Sequence, residues 1–158
     1  MDIAIARILH VLSILTWIGG VAFVTTVLFP GIRRREAPER RLAAFLQAEE
    51  IFAGQARLAI LVAGASGLYM TWRLDAWDRF ALPGFWWMHA MVCLWALFAL
   101  MLFVIEPFFL HRRLERALAD PGASARLFDR MQRFHRILLL ASLVTVLGAV
   151  GGSHGLFY

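Results

Sequence analysis

The sequence predicts an all-α integral membrane protein, a bundle of four transmembrane helices with both termini on the outer side. Four apolar runs, at about residues 3–29, 51–72, 85–105 and 137–152, are long enough to cross a hydrocarbon core. Of the 158 residues, 61% are hydrophobic and 17% charged, a balance that soluble domains of this size rarely carry. All 16 basic residues are arginine, and they gather between the runs. Five lie in the first connection and seven in the third, against two in the middle one and none in the C-terminal tail. The positive-inside rule then puts the first and third connections in the cytoplasm. The expected setting is a bacterial-type inner membrane, with the chain as one transmembrane domain. The net charge of +5 raises nucleic acid as a partner, but arginines clustered in two loops between spans mark topology instead. Lipid is the partner expected.

The first span, Ile3 to Phe29, carries only Arg7 and His10 as ionisable groups. Its apolar run is too long for a cleavable signal, and no small-x-small site follows it. Pro30-Gly31 reads as its stop. A helix restarts near Leu42, opens amphipathic with Glu49 and Glu50, and becomes apolar from Ile51, with Arg57 inside. Ala63, Gly64, Ala65, Ser66 and Gly67 make this second span smooth, and small residues four apart let helices approach closely. The connection RLDAWDRFALPG, with Trp72, Trp77, Trp86 and Trp87 in or beside it, reads as an interfacial belt. The third span runs from Phe85 to about Ile105 and is followed by Glu106-Pro107. An Asp120-Pro121-Gly122 turn, with Ser124 as the expected N-cap, introduces the last helix. It is amphipathic at first and fully apolar from Ile137 to Val150. Gly148 and Gly152 near its end form a GxxxG pair, which leaves a homo-oligomer or a larger membrane complex open. Cys93 is the one cysteine, so no intrachain disulfide can form.

Histidines carry the candidate chemistry. His10 lies roughly 10 Å along its span and His89 roughly 6 Å along the third, at the rise of an α-helix, and both spans enter from the outer side. An intramembrane ionisable group costs free energy unless it has a partner, and such groups mark functional sites. Two facing imidazoles can clamp a haem iron, and helical bundles hold such cofactors between their helices. Ser13, Trp17 and Gly20 share the face of His10 at helical spacing. Trp17 could flank a flat macrocycle, although aromatic packing between helices explains it equally well. Arg73 and Arg79 are the cations available for propionates, and His154 at the same surface is a further candidate. A hydrogen bond to a neighbouring helix is the simpler alternative for each histidine.

Copper is the rival metal. His89 and Cys93 share a face at i, i+4, and thiolate, thioether and imidazole together suit Cu(I). Met88 and Met91, however, point away from that face. Near the opposite membrane surface, Arg57 and His135 fall at similar depth and could make an anion, quinone or second haem site. An Arg–Glu ion pair with a snorkelling histidine explains them more simply. His111 lies in an arginine-rich loop and is expected to be solvated. No phosphate-binding glycine loop, nucleophile elbow or HExxH motif is present.

The opening LHVLSILTWIGG resembles the first helix of the HemJ-type protoporphyrinogen oxidases. WWMHAM resembles their third-helix motif, and RLAILVAGASGLYMTW their second helix. This resemblance implies haem b held by the motif histidines, here His10 and His89, and oxidation of a porphyrin. Met91 stands where that family has a lysine, a departure that bears directly on oxidase activity. The first two helices are also similar to the CopD-type copper-resistance membrane domain. The reading carried forward is a haem b-binding membrane redox protein, with one or two haems and a quinone or porphyrin as substrate. Its alternatives are a copper-binding or copper-transporting protein and a non-catalytic membrane subunit.

Overall fold

The computed structural model describes residues 1–110, 114 and 117–157; His111 and residues 112–113, 115–116 and 158 lie outside them. Every regular element among the described residues is helical. Four helices are long and apolar enough to cross a membrane: α1 (Asp2–Arg35), α2 (Arg41–Arg73), α3 (Pro83–Phe108) and α4 (Pro121–Ser153). The chain is therefore a multi-pass membrane protein built as a helical bundle. α1 packs along α2, α3 along α4, and α2 and α4 also meet. One end of the bundle is rich in arginine and the other in tryptophan.

Helix α1 does not stop at Pro30-Gly31, as the sequence suggests; it continues to Arg35. Proline breaks an α-helix because it lacks an N–H and crowds the carbonyl four residues back. Here Val24–Leu28 form a wider, π-helical turn, in which the Phe29 N–H reaches Val24 O five residues back. That widening just ahead of Pro30 makes room for the ring. Thr25 and Thr26 donate their hydroxyls to Val21 O and Ala22 O within the same stretch, each at 2.7 Å. A second π-helical stretch, Met101–Leu110, begins within α3 and holds Pro107 inside it.

The cap of α4 also differs from expectation. Asp120, not Ser124, is the N-cap: its carboxylate accepts the Gly122 N–H at 2.9 Å. Ser124 lies inside the first turn, is buried, and donates its hydroxyl to Glu39 O at 3.2 Å. It thereby ties α4 to the connection before α2.

Two apolar cores stack along the bundle. The middle one joins Trp17, Ala59, Ile60, Ala63, Leu94, Phe98 and Leu138 from all four helices. The other, at the arginine-rich end, joins Phe29, Ile32, Leu42, Phe45, Ala117 and Phe128. Phe29 and Phe45 stack there with centroids 4.5 Å apart.

The small residues are used inside the chain. A Cβ on Gly64 would stand 2.7 Å from the Trp95 ring, whose N–H donates to Ile60 O at 2.9 Å. A Cβ on Gly148 would meet the Trp86 ring at 2.5 Å, and one on Gly152 would overlap the Trp87 indole. The GxxxG pair near the end of α4 therefore receives tryptophans of α3, and it is these indoles that fill the notches. Only glycine leaves room for a ring so close to helix backbone.

Gly64 offers a direct check. Gly64→Ala should lower stability by about 1–3 kcal/mol, the usual cost of overpacking. Gly19→Ala, where nothing stands within 4 Å of the added Cβ, should leave it unchanged or raise it slightly. Thermal or denaturant unfolding in detergent compares the two; equal effects would contradict the notch.

Candidate functional site

The inner face of α1 carries Ala6, Ser13 and Trp17, all buried, with partly buried His10 beside them. The imidazole of His10 leans onto α2. Its Nδ1 lies 2.9 Å from Ala63 O and 3.1 Å from Ser66 Oγ. A carbonyl only accepts, so Nδ1 carries a proton, and a neutral ring then has its lone pair on Nε2. Gly67 provides the space for this ring, since a Cβ there would lie 3.1 Å from His10 Cε1. Ser66 in turn donates to its own helix at Val62 O and is itself buried. The smooth stretch of α2 is thus a docking face for His10.

Fixing the Nδ1 proton on a backbone carbonyl is what metal-bound histidines commonly do with their second nitrogen. Two turns further along the same face, Trp17 is only 4% exposed and packs edge-on against Phe98 at 4.9 Å. Its indole N–H finds no acceptor among the described residues. A bare imidazole nitrogen and an unmet buried donor on one stripe are the features an acceptor-bearing ligand or a metal group could use.

The other sequence candidates fall elsewhere. His89 is on the exposed side of α3, where its ring meets Phe80 edge-on at 5.2 Å. Its described contact is on α3's own side, whereas those of His10 are on α2. Cys93 shares that exposed side, whereas Met88 is buried on the opposite one. Arg73 is already engaged: its guanidinium donates to Asp2 at 2.9 and 3.1 Å, and Tyr69 donates to the same carboxylate oxygen. Arg79 lies over the Phe85 ring at 5.4 Å. His154, exposed at the end of α4, has its Nδ1 2.8 Å from Val150 O. Among the described residues, no group of three or more His, Cys, Asp or Glu is placed to hold a metal ion.

Arg57 and His135 do not form a joint site. The Arg57 guanidinium donates to Glu106 at 2.9 Å and its Nε to Leu102 O at 3.4 Å. Pro107 lies inside the wide helix of α3 and has no N–H to offer the ladder, so a side-chain donor from α2 takes up a carbonyl there. The Arg–Glu ion pair expected from the sequence is present, and its carboxylate is Glu106, one residue ahead of the proline. A cavity of about 300 Å³ opens beside it, lined in part by Glu49, Glu50, Arg57 and Glu106. His135 instead sits among Phe29, Phe45 and Phe134, with Nδ1 2.9 Å from Met131 O.

In comparisons with known proteins, no family model, curated protein or solved structure matches this chain.

The seam between His10 and α2 can be tested by a double-mutant cycle. His10→Ala and Ser66→Ala should couple by roughly 0.5–1.5 kcal/mol, the range of interhelical polar contacts in membranes. Strictly additive unfolding free energies would show that Ser66 contributes nothing to holding the ring.

Proposed function

We propose that this chain is a haem b-binding integral membrane protein that passes electrons or oxidises a porphyrin or quinone. The observation that carries the proposal is His10. Its Nδ1 proton is committed to Ala63 O, its Nε2 is bare, and the ring stands among helices. The donor set on α1 fits such a group: a neutral imidazole for the iron, and the Trp17 N–H for an acceptor on its edge. Bound haem would supply a one-electron couple in an apolar setting.

The residues of the chain have separate tasks in this reading. Ala63 and Ser66 hold the imidazole in its metal-ready tautomer, and Gly67 gives it room. His89 is the proposed second ligand; because its side of α3 is turned outward, the assignment leans on His10. Arg79, which no carboxylate holds among the described residues, is a better propionate partner than Arg73. The arginine-rich end is assigned to the cytoplasm by the positive-inside rule, which puts His10 and His89 in the outer leaflet of a bacterial-type inner membrane. Met91, where the HemJ-type enzymes have a lysine, favours electron transfer over porphyrin oxidation.

The absorption spectrum of the detergent-purified protein, oxidised and dithionite-reduced, tests the proposal together with metal analysis. A Soret band with split, reducible α and β bands is expected. His10→Ala should abolish haem retention, and His89→Ala should convert a low-spin spectrum to a high-spin one. Full retention with an unchanged spectrum in His10→Ala would sink the assignment. Stoichiometric copper without haem would replace it with the copper reading.

A further inference from the structure

One cavity lies away from His10, at the arginine-rich end. It measures about 710 Å³ and opens between the end of α1 and the first half of α4. Arg33 and Arg34 line it from α1, and Asp129, Gln132, Arg133 and Arg136 from α4. The spacing of the α4 residues, three or four apart, sets them on one helix face. The last lining arginine, Arg136, directly precedes the apolar part of α4, which starts at Ile137. The lining residues therefore fall at the arginine-rich boundary of the apolar span.

Four guanidinium groups and one carboxylate leave a surplus of three positive charges. Arg33 is held: it donates to Asp129 and, at 2.6 Å, to Gln132, and its guanidinium lies over the Phe128 ring at 5.7 Å. Its own carbonyl accepts from Arg41 at 3.3 Å. Gln132 is buried, so this side of the cavity is fixed. Arg34, Arg133 and Arg136 make no hydrogen bond or ion pair among the described residues. Like charges gathered on a rigid wall repel one another, and an anion between them relieves that repulsion. Guanidinium forks match phosphate oxygens in geometry as well as charge.

We propose that this cavity binds a phosphate-bearing anion at the membrane surface, and that its occupant is the headgroup of an anionic phospholipid. Basic pockets between transmembrane helices suit such headgroups because the acyl chains stay in the bilayer while the phosphate meets the arginines. Free phosphate shares the headgroup chemistry but lacks that anchorage. The proposal is independent of any haem at His10.

Delipidated protein in detergent, titrated with phosphatidylglycerol, phosphatidylcholine or inorganic phosphate and read by native mass spectrometry, tests it. The wild type should retain one phosphatidylglycerol in preference to phosphatidylcholine. Each cavity arginine replaced should weaken that retention roughly fivefold. The triple variant Arg34→Gln, Arg133→Gln, Arg136→Gln should lose the preference. Arg35→Gln, Arg40→Gln, Arg130→Gln removes as many charges from the same end but none from the cavity, and should keep it. The single variant Arg136→Gln serves if the triple fails to fold. Tight phosphate binding with the same variant dependence supports the site with a free anion as occupant. Equal losses in both triple variants, or no preference in the wild type, overturns the proposal.

Discussion

A polar group on a membrane helix has no water to turn to, so its partner must come from the chain itself. Most of the interhelical architecture answers that constraint. His10 takes a carbonyl and a hydroxyl of α2. Arg57 takes a carboxylate and a carbonyl of α3. Trp95 sends its N–H to α2, and Ser124 sends its hydroxyl to the segment before α2. Helix α2 takes part in the first three contacts, and it also supplies the glycine notch for Trp95. The other serines and threonines settle the matter locally, returning the hydroxyl to a carbonyl three or four residues back. The indole N–H groups of Trp17 and Trp87 depart from the rule: neither meets an acceptor among the described residues.

Fold class and span number were legible in the sequence because both follow from apolar length and arginine placement, quantities that need no knowledge of packing. Helix ends were less so. Pro30 is an ordinary stop signal, and nothing in VTTVL announces a turn wide enough to carry the helix past it. Asp120 was read as part of a turn and proved to be the cap, a distinction that depends on where the helical backbone starts.

Among the candidate residues, one stood out from the sequence alone. His10 stood out because an imidazole deep in an apolar run needs a partner. Its partner is a backbone carbonyl, which every residue has, so no side-chain pattern could have pointed to Ala63. Depth arithmetic gives a level for His89 but no facing, since level comes from residue number and facing comes from packing. The carboxylate that pairs with Arg57, Glu106, lay just beyond the presumed end of a span that runs further than its hydropathy suggests. Arg73 was free in sequence and is bound in space, because the first turn of α1 brings Asp2 beside it.

The wide turn in α1 has a consequence for register. At about 100° per residue, Phe29 on an uninterrupted helix would point about 120° away from Trp17. The extra residue of the wide turn brings it back to within about 20°, and Ile32 follows it inward. The two halves of α1 are thus continuous in backbone and separate in phase. Deleting one residue between Val24 and Leu28 would leave His10 where it is and swing Arg33 and Arg34 off the face of α4. Each end of the bundle can therefore be altered in sequence without retuning the other.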